Sequence, residues 1–303
     1  MAIPITLRSA SQTEESNLLG EEVKKVLELA AKNFLSGPAN CYGPEGERIF
    51  AEPLFGYAAG DDPLWKVFAR DIGEMYWTPE AAFERAFPGS NLKGEELSVA
   101  VIICPQTKAT MSDQRRAVGF PSKRWVRSYF HHNQVIGSLS DHVAAALASA
   151  GVKACVPEHL EGYAQMPHPA YQIASPWSHR HAGFAAGLGT FGLCDGLITS
   201  VGKAHRLGSL ILDRSLAPTR RAYQGPYDYC LWHSSGRCRK CVDRCPAGAL
   251  SEKGHDKHLC ESFLDSTRPK IKEMWPEFAG TYGCGLCQSA VPCDAGLPRA
   301  VKS

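Results

Sequence analysis

Local patterns predict helices in three segments of the first half of the chain: apolar side chains recur at three- and four-residue intervals in the first and third, and the second has an N-cap pattern. The first segment is Glu21–Leu35. The second is Pro79–Ala86, where Thr78 stands in the N-cap position and a proline opens the helix. The third contains the apolar positions of residues 135–150 and is closed by Gly151.

Two further segments are continuously apolar, which is typical of buried strands. Leu97–Cys104 is bounded by two glutamates and a proline, and Val152–Val156 directly follows the third helix. This strand–helix–strand order predicts an α/β fold, in the broad sense that includes α+β, rather than a helix bundle. Residues 37–63 are rich in glycine and proline, and we expect them to wrap the surface.

The stretch from Cys230 to Cys293 contains eight of the twelve cysteines. Cys238, Cys241 and Cys245 form a C-x2-C-x3-C run followed by a proline, and a second C-x2-C pair lies closer to the C-terminus. In two-cluster ferredoxins the cysteine before the proline ligates the other cluster. The spacing therefore predicts two [4Fe–4S] clusters bound crosswise.

The crossing assigns four cysteines to each cluster. Ser235 stands where the usual run has its leading cysteine, so the first cluster is predicted to bind Cys230, Cys238, Cys241 and Cys293. The second is predicted to bind Cys245, Cys260, Cys284 and Cys287. Paired C-x2-C units also build zinc sites, and zinc, disulfides or a serine ligand in the first cluster stay open. The remaining cysteines lack partners at metal-binding spacing: Cys41, Cys104, Cys155 and Cys194.

Composition and charge limit the number of domains and the partners. A chain of 303 residues with 44% hydrophobic residues can bury a core in one large domain or two. A net charge of +2 gives no general attraction to nucleic acid or to an anionic membrane. The chain opens without an export-signal pattern and has no window near the ~20 apolar residues of a membrane span. Because reducing compartments keep thiols free, a cytoplasmic location is predicted.

Glycines are frequent between Ser175 and Asp213. They would let the backbone approach a flat or anionic ligand closely. A G-x-G-x-x-G pattern runs from Gly187 to Gly192, but no apolar strand precedes it, so it is weak evidence for a dinucleotide site. A purely structural turn is the competing interpretation.

This glycine-rich region, followed by the cysteines, resembles the epoxyqueuosine reductase and reductive dehalogenase superfamily. The matching residues are Ala186–Gly189, Gly192, Gly196–Thr199, Arg206–Gly208 and Asp213. The resemblance implies a nitroreductase-like α/β domain that binds a corrinoid, over residues 1–225. It also implies a ferredoxin-like domain with two [4Fe–4S] clusters over residues 226–303. Electrons would pass from a low-potential donor such as ferredoxin or flavodoxin, through the clusters, to cobalt.

The resemblance further implies a cobalamin-dependent reductase, and the departures from the family pattern point to a small organic substrate. Ile173 occupies the position of the aspartate that serves as the proton donor in epoxyqueuosine reductases. For this reason, and because the net charge is nearly neutral, tRNA is not expected as a partner. The alternative is an iron–sulfur electron-transfer or reductive-activator protein without substrate chemistry of its own.

Six residues are candidates for corrinoid contact and proton donation. The region from Ser175 to Asp213 supplies the candidate corrinoid contacts, any of which could instead only pack: Gly187, Gly189, Thr190, Gly192 and Ser209. Tyr129 is the candidate proton donor, because a cation near a phenol lowers its pKa. Its sequence neighbours are Arg127, His131 and His132. The alternative is that Tyr129 is a half-buried helix residue.

Overall fold

The computed structural model describes residues 10–43 and 46–299. Its helices are α1 (Ala10–Ser36), α2 (Pro63–Ile72), α3 (Pro79–Ala86), α4 (Lys108–Arg116), α5 (Lys123–Ser149), α6 (His179–Ala185), α7 (Leu231–Ser235), α8 (Lys240–Asp243) and α9 (Lys257–Met274). Its strands are β1 (Cys41–Tyr42), β2 (Glu47–Arg48), β3 (Leu54–Ala59), β4 (Ser98–Pro105), β5 (Ala154–Cys155), β6 (Met166–His168), β7 (Gln172–Ala174), β8 (Gly189–Phe191), β9 (Leu197–Thr199), β10 (His205–Leu212), β11 (Leu250–Ser251) and β12 (Gly254–His255).

A four-stranded sheet in the order β3-β4-β10-β5 forms the centre of the fold. Every neighbouring pair is antiparallel, and β10 pairs with β4 along its whole length. The two strands of the predicted strand–helix–strand unit, β4 and β5, are therefore not adjacent parallel partners, because β10 lies between them. The structure is mixed helix and sheet, as predicted, and the antiparallel order places it on the α+β side of that class.

The three predicted helices are confirmed as α1, α3 and α5. The bounds of α3 agree at both ends, and the Thr78 hydroxyl accepts a hydrogen bond from the Ala81 amide at 3.3 Å. α5 begins at Lys123, well before the predicted stripe, because Ser122 caps it by accepting from the Trp125 amide. The predicted strands are confirmed as β4 and β5, although β5 is only two residues long.

Helices cover both faces of the sheet. On one face α1 and α5 pack with side chains such as Leu27 and Leu139 against Ile102. On the other face α2, α3 and α6 pack around Trp65 and Trp177. Full burial of a large apolar side chain contributes roughly 1.5–3 kcal/mol, so these two cores hold the sheet as a rigid scaffold.

The prediction that residues 37–63 wrap the surface is wrong at their C-terminal end. There β3 is an edge strand of the central sheet, with Tyr57 and Ala58 buried. A side chain at Gly56 would lie 2.6 Å from the Ala186 carbonyl oxygen, so this glycine allows a close approach of α6 rather than a loop.

The cysteine-rich region consists of the long helix α9, several short elements and loops, and part of it packs directly on the α/β part. Leu193 and Ile198 form one small core with Cys230, Cys241 and Val291. The predicted domain boundary between residues 225 and 226 stays a prediction. Among the described residues, no helix is both long enough and apolar enough to cross a membrane.

Candidate functional site

Four cysteines line one cavity at the junction of the glycine-rich and cysteine-rich regions. They are the four predicted for the first cluster: Cys230, Cys238, Cys241 and Cys293. Gly192 and Lys203 line the same cavity from the α/β side. Cys230 and Cys293 are 63 residues apart in the sequence, and the fold places all four cysteines around one space. The donor set fits an iron–sulfur cluster, in which cysteine thiolates are the usual ligands.

The loop that carries Cys293 is fixed by the turn between β9 and β10. The Lys203 amide donates to the Cys293 carbonyl oxygen at 3.0 Å. Gly202 has a φ of 83°, and a side chain there would overlap the backbone of Asp294. Arg115 of α4 holds the Asp294 carboxylate with two hydrogen bonds of 2.8 and 2.9 Å. Bidentate pairs of this kind define orientation as well as position.

Ser235 does not face the cavity. It lies at the exposed end of α7, and its hydroxyl donates to the Leu231 carbonyl oxygen at 2.7 Å. Cys230 precedes α7 as its N-cap residue and is 8% exposed. Of the two candidates for the fourth ligand, the structure therefore directs only Cys230 toward the other three cysteines.

The second predicted set surrounds the start of α9. Burial raises the pKa of Cys284 to about 11, with further contributions from the nearby thiols of Cys260 and Cys245. The Gln114 side chain donates to the Cys284 carbonyl oxygen at 2.6 Å, which ties this loop to α4. Cys287 lies within electrostatic range of Cys284. The four cysteines are therefore neighbours, and their role as ligands stays a prediction.

Cys194 is a thiol that the sequence interpretation left without partners. In the structure it packs in one hydrophobic cluster with Cys241 and Cys287. The thiols of these two residues, and after them the Lys203 ammonium, lower the pKa of Cys194 well below its usual value. Cys241 and Cys287 belong to different predicted clusters. No spacing rule could have found this residue, because it lies far from the others in sequence and reaches them only through the β8–β9 hairpin.

Lys203 is the second functional group that sequence analysis missed. Its ammonium nitrogen lies 3.2 Å from the Cys194 sulfur, and the residue is only 3% exposed. Burial lowers the pKa of Lys203, but the surrounding thiols, Cys194 first, outweigh burial and raise it well above the usual value. The cysteine-rich centre thus contains a buried cation.

His255 is a polar neighbour of the second set. Its Nδ1 lies 3.0 Å from the Asp195 carboxylate. Burial lowers the pKa of His255, whereas hydrogen bonds with Asp195 and Cys260 outweigh burial and raise it to about 9. A positive imidazolium therefore lies beside Cys260 at neutral pH.

Gly187 and Gly189, predicted to contact a corrinoid, contact the protein itself. Gly187 has a φ of 74°, and a side chain there would lie 2.9 Å from the Thr219 carbonyl oxygen. A side chain at Gly189 would overlap the carbonyl of Ile198 on the paired strand. Internal packing is enough to explain why both positions are glycine.

The hydroxyls of Thr190 and Ser209 are also occupied by protein groups. Thr190 accepts from the Tyr229 amide at 2.9 Å. Ser209 accepts from the Trp177 indole at 2.8 Å and lies 2.7 Å from Nδ1 of His179. Both residues are fully buried. In this structure these groups, and the two glycines above, do not fit a corrinoid surface, since none is free or accessible.

Tyr129 lies beside the second cysteine set, not at the four-cysteine cavity. The centroid of its ring is 5.3 Å from that of the Tyr282 ring, and Cys260 is among the groups that raise the pKa of the Tyr129 hydroxyl. The cation above its ring is Arg206, at 5.1 Å, whereas Arg127 lies over Tyr42 instead.

The expected direction of the Tyr129 pKa shift is wrong. Burial raises the pKa of the phenol, and the opposing effect of Arg206 is smaller. Tyr129 is therefore a weaker acid than a free tyrosine, and its role as proton donor stays a prediction. Ile173, at the position of the family's aspartate, lies in β7, and its carbonyl oxygen accepts from the Lys257 ammonium at 2.8 Å.

Within the described ranges, no three histidine, cysteine or acidic side chains converge closely enough to hold a single metal ion. A cubane cluster binds each cysteine through a different iron, so its four thiols surround a space instead of meeting at a point. The cavity between Cys230, Cys238, Cys241 and Cys293 has that arrangement.

Comparison with known proteins finds similarity over part of the chain. It is 33% identical over 149 residues to an epoxyqueuosine reductase of Bacillus anthracis, covering 46% of this chain and 37% of that protein. It is 30% identical over 110 residues to a tetrachloroethene reductive dehalogenase of Desulfitobacterium hafniense, covering 36% of this chain and 19% of that protein. The chain thus spans well under half the length of these relatives. It matches none of the known protein-family models.

A solved structure shares the fold. A selenomethionine-labelled epoxyqueuosine reductase superposes with a TM-score of 0.52 at 19% identity, covering 93% of this chain and 68% of that one. At this level of identity the likeness shows a common architecture and nothing about the substrate.

The prediction that tRNA is not a partner is wrong. One of the curated relatives named above is an epoxyqueuosine reductase, the class of enzyme that acts on tRNA. Ile173 is a single position, and the net charge of +2 describes the chain as a whole. Neither excludes local contacts with a nucleic acid, so tRNA stays among the candidate substrates.

Proposed function

Because the chain is a divergent member of the superfamily of epoxyqueuosine reductases and reductive dehalogenases, we propose that it is an iron–sulfur oxidoreductase. Two [4Fe–4S] clusters, held by the two cysteine sets, relay electrons one at a time from a low-potential donor such as ferredoxin or flavodoxin. Its relatives of known name are reductases, which supports this class of reaction.

The single observation that carries the proposal is the four-cysteine cavity. Three separate segments of the chain supply the four cysteines, with Cys238 and Cys241 in one of them, and they line one space that also receives Gly192 from the α/β part. Electron transfer requires a cluster close to the group that it reduces. This arrangement supports a first cluster at the junction and a second one behind it, toward α9.

A narrower proposal concerns the electron acceptor. The family resemblance supports a cobalamin bound by the α/β part, which would supply a cobalt centre for the reduction of a small organic substrate. The contacts of Gly187, Gly189, Thr190 and Ser209 give this proposal no support, because the protein already occupies them. A corrinoid would have to use other residues.

That observation favours a second candidate, an electron-transfer or reductive-activator protein that delivers electrons to another molecule. In this case the glycines serve only to pack the β8–β9 hairpin against the cysteine loops. Leu193 and Ile198 of this hairpin pack against Cys230 and Cys241, which supports such a scaffold role.

Cobalamin binding separates the two candidates. Because the predicted contact groups are occupied, we expect anaerobically purified protein with both clusters to retain no cobalamin at micromolar concentration. Equilibrium dialysis, with absorption and EPR spectra taken before and after addition of cobalamin, measures this. Stoichiometric binding, with cobalt reduced through the clusters, would establish the corrinoid candidate, and turnover would then be assayed with tRNA as well as with small organic molecules.

A further inference from the structure

Lys203 is buried at the centre of the cysteine-rich region. It is 3% exposed, and its ammonium lies 3.2 Å from the Cys194 sulfur. Removing an ammonium from water costs several kcal/mol unless negative or polar groups replace the lost hydration. A lysine at this depth therefore requires a lasting source of negative charge around it.

The Cys194–Lys203 pair lies between the two predicted clusters. Cys194 packs in one hydrophobic cluster with Cys241, from the first set, and Cys287, from the second. Lys203 also lines the four-cysteine cavity, and its amide binds the Cys293 carbonyl oxygen. Among the described residues, this pair is thus in contact with both sets at once.

Cysteines bind clusters as thiolates. The Lys203 ammonium, 3.2 Å from the Cys194 sulfur and on the wall of the four-cysteine cavity, would then lie among ligand sulfurs that carry negative charge.

We propose that Lys203 raises the reduction potentials of both clusters from a position between them. The inference rests on the proposed function, since it requires the clusters. Each cluster accepts one electron and gains one negative charge, without a change of ligands. A nearby cation and hydrogen bonds to the ligand sulfurs stabilise the reduced form more than the oxidised form. The first cluster should respond more strongly, because Lys203 lines its cavity.

Lys203→Met tests the proposal, with Lys253→Met as the matched control, since Lys253 lies in the same region but is exposed. The reduction potentials are measured by redox titration followed by EPR. In Lys203→Met we expect the ratio of reduced to oxidised first cluster, at the wild-type midpoint, to fall at least tenfold. For a one-electron couple this is about 59 mV. The second cluster should shift in the same direction by less, and the ratio in Lys253→Met should change less than twofold.

Iron and sulfide content, measured first on each variant, separates the possible failures. If wild-type protein binds no clusters, the proposed function fails together with this inference. If Lys203→Met holds both clusters and its potentials equal those of wild type, this inference alone is overturned. Should Lys203→Met fail to load, Lys203→Gln removes the charge but keeps a polar side chain. Its first-cluster potential should also fall, and an unchanged potential there would likewise overturn the inference.

Discussion

Cys230→Ala is expected to remove the first cluster and leave the second, which lowers the iron content from about eight to about four per chain. Cys230 is the cavity-lining residue that replaces the leading cysteine of the usual run. A four-iron cluster that loses one thiolate has an iron open to solvent and is readily degraded. Iron analysis and EPR after anaerobic reconstitution provide the measurement.

Ser235→Ala is the matched control for Cys230→Ala. The two positions are five residues apart, but the Ser235 hydroxyl is exposed and bound to the Leu231 carbonyl oxygen. This variant should retain about eight irons. An intact first cluster in Cys230→Ala would show that another ligand completes it, and loss of the cluster in Ser235→Ala would identify that ligand as the serine.

Gly202→Ala is expected to lose the first cluster although every cysteine is present. The new Cβ would overlap the Asp294 backbone, next to Cys293. The two backbone segments are fixed there by the hydrogen bond from the Lys203 amide to the Cys293 carbonyl oxygen. The loop must therefore move, and Cys293 moves with it out of the cavity. Iron content and the temperature of thermal unfolding are measured together.

Gly280→Ala separates the overlap from backbone strain. Gly280 also has a positive φ, of 87°, but no atom lies within 4 Å of a side chain placed there. Strain at such a φ costs roughly 1–2 kcal/mol in either variant. Both should therefore unfold at a lower temperature than wild type, and only Gly202→Ala should lose iron. Full iron in Gly202→Ala would mean that the Cys293 loop is not held as described.

Local signals were enough to predict some elements from the sequence. The limits of α3 follow from Thr78 and the proline after it, which act within one helical turn. The cysteine sets follow from ligand spacing, a chemical constraint that leaves a regular mark on the sequence. The strand β4 is buried along its whole length and almost entirely apolar, because both of its faces are covered by helices.

Features that depend on tertiary contacts could not be predicted in this way. β3 contains a glycine and follows a glycine- and proline-rich stretch, so only the approach of α6 reveals Gly56 as a packing position. Cys194 and Lys203 meet the cluster cysteines through the β8–β9 hairpin and the turn after it. The pKa of Tyr129 depends on burial, whose effect outweighs that of the nearby cation. Burial cannot be inferred from the residues next to Tyr129 in the sequence.

The central claim, two [4Fe–4S] clusters in this fold, is tested most directly by metal and sulfide analysis of anaerobically reconstituted wild-type protein. Two cubanes predict about eight irons and about eight acid-labile sulfides per chain, with the EPR spectrum of two interacting clusters after reduction. Stoichiometric zinc without sulfide, or no more than about four irons after full reconstitution, would contradict it.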